Sequence, residues 1–423
     1  MSRRNDEAIA VRITSLLRNL LGIKHMFVEG VAAEGGGLVI DVRPSWRKPR
    51  CSVCGRRRSG YDRLPARQWR HLDFGAVMVS LRYALRRVQC RCCGVVVEQV
   101  PWSAHVDSRF TADFEEQVAY MAQRCDKTSI GCTFRIAWET VGRIISRVVE
   151  RKRPEDPLAN LEHIGVDELS YRKQHHYVTL VTDHKERRIV WGKEGKSAET
   201  LLSFFKELGP EGCERIKAVT IDMSRAYINA VKQAVPKAQV VFDRFHVQCL
   251  VSGAVDETRR DEWQRLRHLG DTKAATALKH TRWALLKKPW NLTPKQQAKL
   301  SSLQETNSPL YRAYLLKESF SEILDRLQPN VVKDKLEGWL AWASRSRLPA
   351  FIRVGRTIRE HLDDIVAYVR WRLSNGVVEG LGNKARLATR RAYGFHSAAA
   401  AIAMIMLCCT GLQLQPVTKW LSG

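Results

Sequence analysis

The chain is short of acidic residues for its size. Its 423 residues include 44 Asp and Glu against 70 Lys and Arg, which gives a formal net charge of +26. An enzyme that acts on a neutral substrate has no need of such an excess, whereas nucleic acid is attracted by it. A membrane surface or a ribosome would be attracted as well, so charge alone leaves these partners open.

Long apolar runs, internal repeats and low-complexity tracts are also lacking. The first ten residues, MSRRNDEAIA, have no apolar run behind their charges, so we do not expect a secretory signal. The apolar stretch 398–411 is too short to span a bilayer and predicts a buried helix. With a hydrophobic fraction of 44% and 12 Trp, the sequence predicts a folded, soluble intracellular protein without a membrane partner.

Eleven cysteines in a chain without an export signal favour metal ligation or core packing over disulfides. In CSVCG and CRCCG, Cys51 lies three residues before Cys54, and Cys90 lies three residues before Cys93; a glycine follows each pair. This spacing lets the two thiolates of a pair face one ion, so we predict one structural Zn²⁺ held by four thiolates. Cys92 is the alternative to Cys93. The remaining cysteines are interpreted as packing residues: Cys125, Cys132, Cys213, Cys249, Cys408 and Cys409.

Residues 106–152 have the helical pattern of a helix-turn-helix, a DNA-binding motif. The expected features are a first helix, a short second helix capped by Thr128, a turn near 134–137, and a third helix whose inner face includes Ile136. A generic three-helix packing unit is the alternative. The outer face of the third helix would read DNA through Trp138, Glu139, Thr140 and Arg143.

A mixed α/β sheet is predicted after a proline-containing linker at 151–160. Three hairpin-like strands, a helix, a strand, a helix and a final strand follow one another up to about residue 244, and residues 251–372 have a charged helical pattern. Trp283 and Trp290 in this helical region stand beside cations. We interpret them as buried packing residues, with stacking on single-stranded bases as the alternative.

Three carboxylates are candidates for a two-metal site. Asp167 lies in the first strand of the sheet, Asp222 ends another, and adjacent central strands would bring them together. Glu379, on a helix with four Lys and Arg after it, would be the third oxygen ligand of two divalent ions. Spacing alone supports this set weakly, because other acids compete for the roles. These rivals are Glu168, Asp183, Glu199 and Asp243.

Three stretches together resemble the DDE transposases of bacterial insertion sequences, specifically the ISL-type branch. They are GVDELSYRKQHHYVTLV (165–181), IDMSRAYINAVKQAVPKAQVVFDRFHV (221–247) and SNGVVEGLGNKARLATRRAYGF (374–395). The zinc ribbon and helix-turn-helix patterns fit the same family. The resemblance implies a multidomain α/β protein: a ribonuclease-H-like mixed sheet with a long helical insertion, preceded by the ribbon and the helix-turn-helix.

The resemblance also implies site residues and partners. Asp167, Asp222 and Glu379 would hold two Mg²⁺ (or Mn²⁺) ions per active site, and Asp243 and His246 of FDRFH would support the site. The face of the helix shared by Glu379 also carries Gly382 and the DNA-binding candidates Asn383, Arg386 and Arg390. Gly380 and Gly382 would let a backbone or DNA strand come close, and the arginines would grip DNA phosphates. Tyr393 and Phe395 are expected to end this helix and pack it. Implied partners are double-stranded DNA, both terminal repeats and target, and a second copy of the chain, in a bacterial cytoplasm in association with the nucleoid.

The expected domains are 1–50 (an N-terminal helix and hairpin), 51–105 (the zinc ribbon), 106–152 (the helix-turn-helix), 160–250 with 373–423 (the catalytic domain) and 251–372 (the helical insertion). The predicted function is metal-dependent cleavage at the terminal inverted repeats and transfer of 3′-hydroxyl ends to target DNA. A DNA-binding regulator with an inert core, and a structure-specific nuclease without joining activity, are the alternatives.

Overall fold

The computed structural model describes residues 13–172, 176–371, 373 and 376–416. The chain divides into two compact units. The first comprises the described residues up to Arg153 with two short later pieces (391–393 and from 412 on), and the second comprises 154–390 with 394–411. No helix in these described ranges combines the length and the apolar character that crossing a bilayer would require.

The first unit opens with a helix and seven strands. They are α1 (Ile13–Leu21), β1 (Met26–Glu34), β2 (Gly37–Pro44), β3 (Ser59–Arg63), β4 (Arg67–Phe74), β5 (Val77–Tyr83), β6 (Arg86–Cys90) and β7 (Gly94–Val97). One sheet has the order β1-β2-β5-β4, and β3-β6-β7 form a small second sheet. In β5, Val79, Leu81 and Tyr83 are buried and the residues between them are not, so one face of this strand packs into the core.

Three helices complete the first unit: α2 (Ala112–Ala122), α3 (Lys127–Phe134) and α4 (Trp138–Lys152). They confirm the predicted trio of helices with a tight turn, but two details differ. Asp126 caps α3, since its side chain accepts a hydrogen bond from the Ser129 amide; Thr128 lies inside the first turn. Ile136 lies in the turn before α4, so it is not part of the helix whose inner face it was expected to share.

A five-stranded mixed sheet forms the centre of the second unit. Its order is β10-β9-β8-β11-β12. Strands β8, β11 and β12 run parallel to one another, β9 runs antiparallel to β8, and β10 runs antiparallel to β9. The strands are β8 (His163–Arg172), β9 (His176–Asp183), β10 (Arg188–Glu194), β11 (Ala218–Ile221) and β12 (Gln239–Phe242). Helices α5 (Ala198–Arg215) and α6 (Arg225–Ala234) supply the crossovers.

A helical region then separates β12 from the last two helices of the sheet unit. It comprises α7 (Arg244–His268), α8 (Thr272–Leu278), α9 (Arg282–Leu286), a 3₁₀ turn (Pro289–Asn291), α10 (Pro294–Thr306), α11 (Ser308–Leu324), α12 (Pro329–Arg345), α13 (Pro349–Glu360) and α14 (Leu362–Trp371). The chain returns through α15 (Gly376–Arg391) and the buried α16 (Ala398–Cys409). This architecture confirms the predicted fold class. Residue 251, the expected start of the insertion, lies within α7.

Five interpretations of individual side chains are wrong. Trp283 and Trp290 are 58% and 73% exposed rather than buried. Tyr393 is 87% exposed and does not pack the end of α15, whereas Phe395 is buried as expected. Cys132 and Cys249 are exposed, so they are not packing residues; Cys408 and Cys409 are buried in α16.

Candidate functional site

Four cysteines of the first unit converge on one point. The Sγ atoms of Cys51, Cys54, Cys90 and Cys93 all lie within 4.8 Å of one another, as tetrahedral thiolate ligation of one ion requires. Cys92 is exposed and stands outside this group. The backbone bends sharply after each pair, because Gly55 and Gly94 adopt positive φ angles of 68° and 75°. The donor set therefore fits a structural Zn²⁺.

An arginine supports the thiolate form of one of these cysteines. Arg58 donates its Nε–H to Cys90 Sγ over 3.2 Å, and this hydrogen bond is the main reason why the pKa of Cys90 falls to about 5. A thiol must lose its proton to bind a metal, so the contact favours ligation.

The helix-turn-helix carries an internal ion network and an open outer face. Glu115 of α2 is buried and binds Arg147 and Arg151 of α4, with Arg147 Nη2 2.6 Å from Glu115 Oε1. Ser108 also donates to Glu115, over 2.8 Å. In the first turns of α4, Trp138, Glu139 and Arg143 are exposed and Thr140 is half-buried. The candidate reading residues therefore lie on accessible surface.

In the second unit, Asp167 and Asp222 come from adjacent parallel strands. Gly165 of β8 pairs with Thr220 of β11, and extending this register by two residues sets Asp167 level with Asp222. The carboxylate of each is fixed by the backbone next to it. Asp167 Oδ1 accepts from the Glu168 amide over 2.8 Å, and Asp222 Oδ1 accepts from the Ser224 amide over 3.0 Å.

These two aspartates and Glu379 line one cleft of about 290 Å³. In the sequence, Asp222 lies 55 residues after Asp167, and Glu379 lies 157 residues after Asp222. Glu379 reaches the cleft from the first turn of α15. The other lining residues come from β8, β11, α15 and the start of α7. They are Val166, Thr220, Ile221, Asp243, Phe245, His246, Val378 and Arg386.

Burial and one cation set the charge state of Asp167. Burial raises the pKa of Asp167, while the amide of Glu168 and the guanidinium of Arg386 act in the opposite direction. Arg386 Nη2 lies 3.6 Å from Asp167 Oδ2, and Arg386 Nη1 donates to Asn383 Oδ1 over 2.8 Å. Asn383 thus orients the arginine that faces the aspartate. Arg390, one helical turn further on, is exposed.

Asp243 and His246 form a pair at the start of α7. Asp243 caps the helix by accepting from the Phe245 amide over 2.7 Å, and its other oxygen lies 3.1 Å from His246 Nδ1. This hydrogen bond is the main cause that raises the pKa of His246, and the charges of Asp222 and Asp167 act in the same direction. The pair therefore favours the protonated form of an imidazole that lies beside the carboxylates.

The rival acids have other surroundings. Burial raises the pKa of the Glu168 carboxyl group, and Tyr227 of α6 acts in the opposite direction. Asp183 accepts from the amides of Lys185 and Glu186 in the turn after β9. Glu199 is exposed in the first turn of α5. Of the four rivals, Asp243 alone is among the described residues that line the cleft.

Gly165 and Phe245 of this site were missed by sequence reasoning, whereas Gly382 was expected as a place of close approach. A Cβ at Gly382 would lie 3.0 Å from Asp167 Oδ2, and one at Gly165 would lie 2.5 Å from Val378 Cγ2. Both glycines therefore let α15 approach β8 closely. Phe245 is exposed at the cleft. Its place beside His246 in FDRFH was the available signal, whereas the two close approaches depend on tertiary structure.

Comparisons with known proteins agree across the chain. The family model of ISL3-type DDE transposases, described as a transposase, matches residues 164–405. A second model, the zinc-finger of transposase IS204/IS1001/IS1096/IS1165, matches 47–93, and the helix-turn-helix domain of transposase family ISL3 matches 98–149.

Individual relatives carry the same name. The chain is 37% identical over 430 residues to the transposase for insertion sequence element IS1557 of Mycobacterium tuberculosis, a match that covers 95% of this chain and 96% of that protein. It is 29% identical over 370 residues to the transposase for insertion sequence element IS1001 of Bordetella parapertussis, with 87% and 90% covered. The chain therefore belongs to the ISL3 family of DDE transposases.

Proposed function

We propose that this transposase binds the terminal inverted repeats of its own insertion sequence, cuts the DNA there, and joins the resulting 3′-hydroxyl ends to target DNA. The observation that carries the proposal is the meeting of Asp167, Asp222 and Glu379 in one cleft. Convergence of three acids so far apart in the chain is what a phosphoryl-transfer site requires, and random strand-end acids would not produce it.

The three carboxylates would hold two divalent ions, Mg²⁺ or Mn²⁺. Hard oxygen ligands suit these ions, and four carboxylates together with His246 and Arg386 fit a site that binds cations and a phosphodiester. When bound, the ions supply an activated water or 3′-hydroxyl and stabilise the leaving oxygen. Asp243 orients His246 through its 3.1 Å contact, so this pair has a supporting role.

The chain's own cations would hold the DNA. Arg386, oriented by Asn383, faces the cleft and is placed to grip a phosphate near the scissile bond, while the exposed Arg390 would bind the backbone further along. In the first unit, Trp138, Thr140 and Arg143 would read the terminal repeats in the major groove of double-stranded DNA. The Zn²⁺ held by the four cysteines would have a folding role.

We further propose that two copies act together, so that both ends of the element are cut in one complex. This part rests on the family alone. The domain boundaries given above are proposed in the same sense, with the ribbon and the helix-turn-helix as the repeat-binding part and the sheet unit as the catalytic part.

The proposal is tested by a matched pair of glutamate variants. Glu379 and Glu199 are both exposed in the first turn of a helix, so Gln at either position removes the same favourable interaction with the helix dipole. We expect Glu379→Gln to slow Mg²⁺-dependent cleavage of an element end at least about 100-fold, and Glu199→Gln to leave it unchanged.

The substrate is a labelled duplex whose sequence is taken from the inverted repeats that flank the reading frame. Asp222→Asn keeps the oxygen that caps the Ser224 amide, so its folding should be intact while cleavage is lost and binding is retained. Normal cleavage by either cleft variant would refute the proposal. If the wild-type protein protects this DNA in a footprinting assay with metal present but leaves it uncut, a DNA-binding regulator would be favoured instead.

A further inference from the structure

The helical region contains a stretch without any acidic residue. Residues 272–304 include seven Lys and Arg and no Asp or Glu. Six of the seven cations are exposed: Lys273, Lys279, Arg282, Lys288, Lys295 and Lys299. A surface of this kind attracts a polyanion, and the attraction depends on salt.

Two exposed tryptophans stand among these cations. Trp283 in α9 and Trp290 in the 3₁₀ turn are 58% and 73% exposed, although a tryptophan gains more than most side chains from burial. The guanidinium carbon of Arg282 lies 5.4 Å from the centre of the Trp283 ring, and Lys288 Nζ lies 4.8 Å from that of Trp290. Each ring therefore lies beside a cation that a phosphate could also contact. Arg282 Nε also lies 3.6 Å from Asp256 Oδ1, an acid outside the stretch, so a phosphate would share this cation with the carboxylate.

The rings stand on a well-anchored segment. Ala284 and Leu285, which follow Trp283, are fully buried. The backbone carbonyl of Leu285 accepts a hydrogen bond of 2.7 Å from the buried ammonium of Lys317. The exposure of Trp283 is thus set by the fold of α9, and the ring is held ready for a ligand.

We propose that residues 272–304 form a binding surface for single-stranded DNA, on which unpaired bases stack against Trp283 and Trp290 while the phosphates lie against the surrounding cations. Bases in a duplex are hidden in their own stack, whereas unpaired bases offer their faces to aromatic rings. Stacking explains why the rings are exposed, and the lack of acids explains why a phosphate backbone is accepted. The inference rests on the proposed function, in which cleavage creates DNA ends that can unpair.

The test measures binding in the absence of added divalent metal, with the full chain carrying Asp222→Asn so that DNA is not cut. The probes are a labelled oligothymidylate of about 12 nucleotides, within the range of known single-strand site sizes, and a duplex of equal length and unrelated sequence. Fluorescence anisotropy gives both affinities. Three further changes are compared in this background: Trp283→Ala with Trp290→Ala, Trp283→Phe with Trp290→Phe, and Leu327→Ala.

We expect the double alanine variant to bind the oligothymidylate at least about tenfold more weakly, since stacking of each base contributes at least about fivefold and two stacked bases are lost. Its affinity for the duplex should change less than about twofold, because only the cations contact the duplex. The phenylalanine pair retains aromatic faces and should recover most of the single-strand affinity. Leu327 is 74% exposed in the same helical region and lies outside the surface, so its replacement should have no effect.

Quenching of tryptophan fluorescence by the oligothymidylate gives an independent readout. The extent of quenching should be smaller in the variant with phenylalanine at both positions. Unchanged single-strand affinity in the alanine pair, or an equal loss for both probes, would overturn the inference. Binding of anionic lipid vesicles in preference to the oligothymidylate would overturn it as well. None of these measurements requires cleavage, so a failure here is distinguishable from a failure of Glu379→Gln to impair the reaction.

Discussion

Replacing Gly382 by alanine should damage the cleft without unfolding the protein. Gly382 is buried in α15, and an added Cβ would lie 3.0 Å from Asp167 Oδ2 and 3.7 Å from Arg386 Nη2. The carboxylate would have to shift by a few tenths of an ångström. A misplacement of about 1 Å costs on the order of 100-fold in rate, so a shift of this smaller size should slow cleavage by about tenfold.

Gly380, two residues earlier in the same helix, supplies the control. A Cβ at Gly380 would meet no atom within 4 Å. Alanine is favoured over glycine within a helix by roughly 0.5–1 kcal/mol, so Gly380→Ala should raise the free energy of unfolding by about that amount. Gly382→Ala gains the same helix preference, but part or all of it is offset by the contact with Asp167.

The assays are urea unfolding, Mn²⁺ binding by calorimetry and cleavage of an element end. We expect Gly380→Ala to match the wild-type protein in Mn²⁺ affinity and cleavage. The free energy of unfolding of Gly382→Ala should lie within about 1 kcal/mol of the wild-type value, and yet this variant should bind Mn²⁺ more weakly and cut DNA more slowly. Equal Mn²⁺ affinity and equal rates in the two alanine variants would refute the reasoning that Asp167 is positioned by the closeness of α15.

Three further predictions concern the first unit. Burial lowers the pKa of His71 to about 4 from an ordinary 6.5, so between these pH values the unfolded chain binds more protons than the folded one. The free energy of unfolding should therefore fall by up to roughly 3 kcal/mol as the pH drops from 6.5 to 4. In urea unfolding, His71→Gln should remove this dependence on pH. Glu115→Ala leaves two arginines of α4 without their buried partner and should cost about 3–5 kcal/mol, whereas Glu116→Ala, whose ion pairs are partly exposed, should cost less than about 1 kcal/mol. Cys93→Ser should lose bound zinc in metal analysis and Cys92→Ser should retain it; the reverse result would mean that the ligand set is wrong.

Short-range patterns predicted the cysteine cluster and the strands that carry the two aspartates. The spacing of Cys51 from Cys54 and of Cys90 from Cys93 fixes each pair on its own turn, and the two turns then meet around one point. Strand patterns located Asp167 and Asp222 in the sheet, and the family resemblance chose them over rival acids; parallel pairing of β8 with β11 sets them level. These features depend on neighbours in sequence and on adjacent strands.

Exposure could not be predicted from the same patterns. α9 is five residues long, too short for periodicity to tell which side faces the core, and Trp283 was wrongly interpreted as a buried residue. At the start of α3, Asp126 and Thr128 are both good capping types two residues apart. Asp126 is the cap because its Oδ1 reaches the Ser129 amide at 2.9 Å, a fact of geometry that composition does not carry.

The place of Glu379 depends on contacts that no local pattern reveals. The buried residues of α15 are small: Gly382, Ala385, Ala388 and Thr389. Because their side chains take little room, the helix lies close enough to β8 for one element to bring both Glu379 and Arg386 to the cleft of Asp167. A larger side chain on this face would move Glu379 and Arg386 together. The proposed carboxylate ligand and the proposed phosphate-binding arginine are therefore positioned by the same packing, which is why a single methyl group at Gly382 is expected to affect both.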